Sequence, residues 1–113
     1  MTETSRPSEE FYDYAKELLD RTFDDEDPQL FAHAAQEIKA HNEDWYDGSE
    51  ENLNGNVFYA AARMGKLSLT RDDVADVVGG SIRMMSTYWE EMLHIAVRKD
   101  DVLKEEEVDF DEF

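Results

Sequence analysis

The chain has 113 residues, enough for one domain that buries roughly two thirds of its unfolded surface and too few for a second beside it. Eleven Lys and Arg against 29 Asp and Glu give a formal charge of -18, and there is no cysteine. That excludes disulfides, thiolate zinc sites, iron–sulfur clusters and cysteine nucleophiles as protein-supplied chemistry.

The charge is far larger than the magnitude of about 2 to 8 that keeps a small domain soluble. Disorder is one explanation, but two Trp, five Tyr, six Phe and clear helical periodicity supply more core than a disordered acidic chain carries. The other is a cytosol at molar salt of the halophilic archaeal kind, where the Debye length falls to about 3 Å and self-repulsion is nearly abolished. On that reading the charge reports the solvent and not the partner. No apolar run approaches the roughly 18 residues that span a bilayer, and no cleavage-site pattern follows the polar first ten residues, so the expected location is cytoplasmic with no membrane partner.

Residues 1–7 read as a flexible arm ending at Pro7. Ser8 then caps a first helix with Glu9 and Glu10 in its opening turn and an apolar stripe of Phe11, Ala15, Leu18, Leu19 and Thr22 or Phe23. Asp27 and Pro28 open a second helix, predicted to run to about Trp45, with Phe31, Ala34, Ala35, Ile38 and Trp45 inward. His33, Glu37 and His41 lie away from that face at metal-ligand spacing. They drift around the helix and lack a fourth ligand, so the solvated reading is preferred and no metal or cofactor is expected.

Tyr46 to Asn52 reads as a loop, with Ser49 capping a third helix through Met64. Its core, Val57 to Met64, is apolar on every side, which demands burial on every side. Three consecutive alanines disfavour the alternative of a buried strand, and Gly65 supplies the stop. Gly55 marks either close approach of another helix or a later helix start at Asn54 or Asn56. Lys66 to Leu69 links onward. Thr70 and Asp73 form a capping-box pair before a short helix ended by Gly79, and Ser81 caps a last long helix with Ile82, Met85, Trp89, Met92, Leu93 and Ala96 inward. Arg83, Met84 and Thr87 fall on its other face. Residues 99–113 form an acidic tail, read as frayed or as an extension of the last helix.

The expected fold is therefore all-α: five helices around a buried third, closing on a helix-turn-helix-like pair, with the domain at 8–98. Residues 53–89 hold Arg63, Lys66, Arg71 and Arg83 against Asp72, Asp73 and Asp76, a balance of +1, while the remainder sums to -19. Such a segment tolerates an anionic partner, or is neutral because it is buried.

Val57 to Met64 (VFYAAARM), Leu69 to Gly79 (LTRDDVADVVG) and Tyr88 within YWEEML together resemble a single cyclin-box repeat, most closely the repeats of archaeal transcription factor B. By architecture the likeness covers about residues 9–97; residue by residue it covers 57–93. The family's initiation factors carry a cysteine zinc ribbon and two tandem repeats, neither of which is present here. In the family the last two helices of the second repeat enter the major groove upstream of the TATA element. The resemblance therefore implies Arg83, Ser86 and Thr87 near bases or phosphates and Lys66 and Arg71 toward backbone, with Ser86 nearer the core edge than Arg83 and Thr87.

Two functions follow. The first is a non-enzymatic transcription-associated regulator that binds DNA or a basal transcription factor through the helix-turn-helix-like pair, a lone copy calling for a homodimer or a DNA-bound partner. Its physical difficulty is that counterion release fades in strong salt and four bases make a thin footprint. The second is a cyclin-like protein adaptor without DNA binding, using an exposed apolar groove that includes Met84 and Tyr59. An enzyme is disfavoured, since His33, His41 and His94 accompany no nucleophile signature and no glycine-rich phosphate loop. If the charge is a salt adaptation, thermal unfolding followed by circular dichroism across a KCl series will show the midpoint rising steadily toward molar salt; a midpoint independent of KCl would refute the salt-adapted reading.

Overall fold

The computed structural model describes residues 7–22 and 24–99. Within them the chain forms α1 (Glu9–Leu19), α2 (Pro28–Ala40), α3 (Glu50–Met64), α4 (Arg71–Val77) and α5 (Ile82–Lys99), with no strand among the described residues. Most of the arm and all of residues 100–113 lie outside this set, as does Phe23; Pro7, assigned to the arm, is buried. Lys99, assigned to the tail, is the last residue of α5.

The helix starts follow from local chemistry. Ser8 accepts from Phe11 N–H, Asp27 from Gln29 N–H and Ser49 from Asn52 N–H, each satisfying a donor that has no partner within its helix. Thr70 and Asp73 form a reciprocal capping box. Asp24, between α1 and α2, is tied across the fold by accepting from Ser68 N–H at 2.7 Å.

Helix α3 buries ten consecutive residues, Leu53 to Ala62, and packs on α2, α4 and α5. Neighbouring aromatics on it serve opposite sides. Phe58 lies at the centre of a cluster with Phe11 (centroids 4.8 Å apart), Phe31 (5.5 Å) and Tyr14 (5.7 Å), drawing α1 and α2 together. Tyr59 meets Trp89 of α5 edge to face at 5.4 Å.

Three sequence expectations give way. First, α2 stops at Ala40 rather than near Trp45. Asn42, fully buried, donates through Nδ2 to Ile38 O (2.7 Å) and to Met92 O of α5 (3.0 Å), while its Oδ1 accepts from Trp45 Nε1 (2.7 Å). The side chain thus takes the carbonyl that the Asn42 N–H would use in a continuing helix, and that N–H turns to Lys39 O instead. Trp45 consequently stands 39% exposed, against Tyr46 and Tyr88, rather than in the core. Second, α3 ends at Met64 with Gly65 as its C-cap, as expected, but the segment after it does more than link onward. Gly65 is right-handed, Lys66 takes the positive φ of 59°, and Lys66 N–H to Arg63 O with Leu67 N–H to Ala62 O make a Schellman closure. That closure turns Leu67 into the core, followed by Leu69, in a segment read only as a linker. Third, Ile82, placed on the inward stripe of α5, is 42% exposed; Met85, Trp89, Met92, Leu93 and Ala96 are buried, joined by Val97.

Gly55 serves close approach, though of a turn rather than a helix. A Cβ there would come within 2.7 Å of Gly79 O. Asn42 is the polar joint between α2 and α5, so Asn42→Ala should cost about 2 kcal/mol in urea unfolding, in line with the loss of a buried group making several hydrogen bonds. A change under about 0.5 kcal/mol, the level of an ordinary surface substitution, would show that the joint is dispensable.

Candidate partner-binding surface

The residues singled out for binding are divided by the structure into two groups at opposite ends of α4, a helix of seven residues and so about 10 Å long. Lys66, exposed, and Arg71, half-buried, flank its start. Arg71 holds its guanidinium 5.9 Å from the centre of the Tyr59 ring, an arrangement that favours a cation over a π face. At the other end, beyond Gly79 and Gly80, Arg83 and Thr87 are exposed one turn apart on α5 with Met84 half-buried beside them. The hydroxyl of Thr87 donates to Arg83 O at 3.2 Å and that of Ser86 to Ile82 O at 3.1 Å. Ser86 is exposed, not at the core edge. Tyr59, expected in an exposed groove, is buried.

Between the two groups lies acid. An open depression of about 450 Å³ is lined by Arg21 from the turn after α1, Asp72, Asp73, Ala75 and Asp76 of α4, and Ile82 of α5. Arg21 reaches Asp76 at 2.8 Å and Asp73 at 3.6 Å, joining the turn after α1 to α4. Its hydrogen bond with Asp76 raises the Arg21 pKa further. Asp73 is held below its ordinary value, chiefly by the Thr70 backbone N–H; burial opposes this, and the Thr70 hydroxyl and Arg21 each lower it further by less. Three carboxylates against one guanidinium leave this depression negative, with a partly exposed isoleucine at its edge.

Sequence reasoning missed Arg21, which sits just past the end of an amphipathic helix more than fifty residues from its partners, and it assigned Ile82 to the core. A second open depression of about 430 Å³ lies near the start of α1, lined by Pro7, Glu9, Tyr12 and Gln29. No three His, Asp or Glu side chains among the described residues are grouped to hold a metal ion, so His33, Glu37 and His41 do not converge. No helix among the described residues is long and apolar enough to cross a membrane.

Comparison with protein-family models, with curated proteins and with solved structures finds no significant match.

Asp73 links the site to stability. Its folded pKa is depressed, so its contribution is fully present above the ordinary carboxylate value of 3.8 and is lost as pH falls through the lower folded value. Asp73→Ala should therefore cost about 1 kcal/mol at neutral pH, the usual worth of a helix cap. In paired thermal melts the gap between wild type and variant should narrow as pH drops through the acid range; a gap that widens on acidification would contradict this assignment.

Proposed function

We propose that the chain is a single cyclin-box-like module, non-enzymatic and transcription-associated, that joins a promoter complex by docking α4 and the start of α5 on a protein partner. Supporting the cyclin-box-like reading are the order of five helices, the burial of α3 and the α4–turn–α5 ending. The observation that carries the docking mode is the depression around Ile82, where Asp72, Asp73 and Asp76 outweigh Arg21. Carboxylates at that density repel phosphate and favour a partner that presents basic residues around an apolar one. The same chemistry suits a basal transcription factor and needs no basic footprint of its own.

Direct DNA contact is the second reading, favoured by one observation: Arg83, Ser86 and Thr87 are all exposed in the first turns of α5. Such a placement suits the opening residues of a groove-reading helix. Against it, Lys66 and Arg71 stand at the far end of α4 and cannot extend the Arg83 contact into a continuous stripe without crossing the Asp72 and Asp76 side.

The two readings separate in one assay, fluorescence anisotropy of labelled promoter fragments across a KCl series, with and without a halophilic archaeal TATA-binding protein. The docking reading expects binding only to the factor-loaded promoter, lost on the order of tenfold or more in Ile82→Asp and little changed in Arg83→Glu. Binding to bare DNA that weakens with salt and with Arg83→Glu would replace it with the DNA reading. Silence in both settings would overturn the transcription-associated proposal.

A further inference from the structure

The turn between α4 and α5 consists of two consecutive glycines at positive φ, Gly79 at 106° and Gly80 at 96°. Neither has a side chain with which to hold its own conformation, and glycine is the residue with most backbone freedom to lose. What the turn leans on therefore decides where α5 begins. It leans on α3. Gly79 O faces Gly55 so closely that a Cβ there would sit 2.7 Å away, and a Cβ on Gly80 would meet Glu51 O at 3.0 Å and Asn52 Oδ1 at 3.3 Å.

Across this seam runs a side-chain hydrogen bond. Ser81 N–H donates to Asn52 Oδ1 at 2.7 Å. Asn52 is itself fixed at both backbone groups: its N–H donates to Ser49 Oγ at 3.1 Å, and its carbonyl accepts from Nδ2 of the fully buried Asn56 at 2.9 Å. By contrast the cap that α5 makes for itself, Met84 N–H to Ser81 Oγ, is long at 3.4 Å.

We infer that Asn52, which lies outside the docking depression and on another helix, is a positioning residue for it. By holding the Ser81 N–H it sets where the first turn of α5 stands, and with it Ile82 and Arg83 against Asp72 and Asp76. This inference rests on the docking reading given above. Without the acceptor, the two glycines relax and the first turn of α5 shifts, while Met85, Met92 and Leu93 keep the remainder of the helix in the core. The consequence is local.

The test uses the whole chain at high KCl in three forms: wild type, Asn52→Leu, which removes the acceptor, and Asn52→Asp, which keeps it. A carboxylate at this place lies in the first turn of α3 and against the start of α5, where both helix dipoles favour negative charge, so Asp should restore what Leu removes. Amide hydrogen exchange followed by NMR should show Ser81 and Met84 exchanging on the order of tenfold faster in Asn52→Leu, with Ala35 and Ala61 unchanged and Asn52→Asp close to wild type. In the factor-loaded promoter assay, Asn52→Leu should bind weakly and Asn52→Asp should recover. Unchanged exchange at Ser81, or equal loss at Ser81, Ala35 and Ala61, would overturn the inference, the latter by showing a merely global effect. Faster exchange at Ser81 with full binding by Asn52→Leu, in a protein whose Ile82→Asp variant has lost binding, would overturn the positioning role alone and leave the docking surface standing.

Discussion

Burial of the middle of α3, Leu53 to Ala62, is the constraint from which the rest of the structure proceeds. A helix with Val57, Phe58, Tyr59 and three alanines in succession has no face to offer water, so other helices must cover it. Small residues and large ones divide the labour. Ala60 to Ala62 keep the helix slim, while Phe58 and Tyr59, about 100° apart around the axis, reach into separate aromatic groups. Burying a side chain of that size is worth roughly 1.5 to 3 kcal/mol. The arrangement has an opposing cost: the Oδ1 atoms of Asn54 and Asn56 are buried and accept no hydrogen bond among the described residues. Each such atom costs about 1 to 3 kcal/mol, which the apolar burial around it must outweigh.

The same helix governs the pair that follows. Its C-terminal closure at Lys66 throws Leu67 and Leu69 into the core, and its N-terminal half carries the notch at Gly55 and the acceptor at Asn52 on which the second turn rests. Helix α4 is too short to be stable alone and is assembled from its surroundings: a capping box at its start, Val74 and Val78 beneath it, and Arg21 from the turn after α1 along its side. An exposed pair such as Arg21 with Asp76 contributes little stability by itself, the more so in strong salt. Its effect is to fix which carboxylates face outward together.

Charge then narrows the function. In a chain of -18, acid on a surface is the expected background, and the informative feature is where base appears and whether it is continuous. Here it is not. Arg71 lies over an aromatic ring, Lys66 closes a helix, and Arg83 stands beyond a negative depression. A phosphate backbone needs several cations in register. A protein partner needs an apolar anchor inside a complementary rim, and on the proposed docking reading Ile82 and the α4 carboxylates are that anchor and rim.

Helix class, four helix starts and the burial of Val57 to Ala62 were legible in the sequence, because each depends on residues within a few positions of one another: a capping oxygen at Ser8, Asp27, Ser49 or Thr70, or a run that is apolar all round, though Arg63 and Met64 of the same run are only half-buried. Arg83 and Thr87 were legible as surface residues for the same reason, a helical period counted from Met85. What the sequence did not disclose depended on distant neighbours. Asn42 ends α2 because Met92 of α5 offers a carbonyl to its amide, Ile82 is left outside because the glycine turn is seated on α3, and Arg21 becomes part of the surface because α1 packs beside α4. Local periodicity assigns a face to each helix, but it carries no information on which carbonyl, backbone or carboxylate a neighbouring helix will bring to that face. Packing alone decided those partners, and through them the shape and sign of the surface.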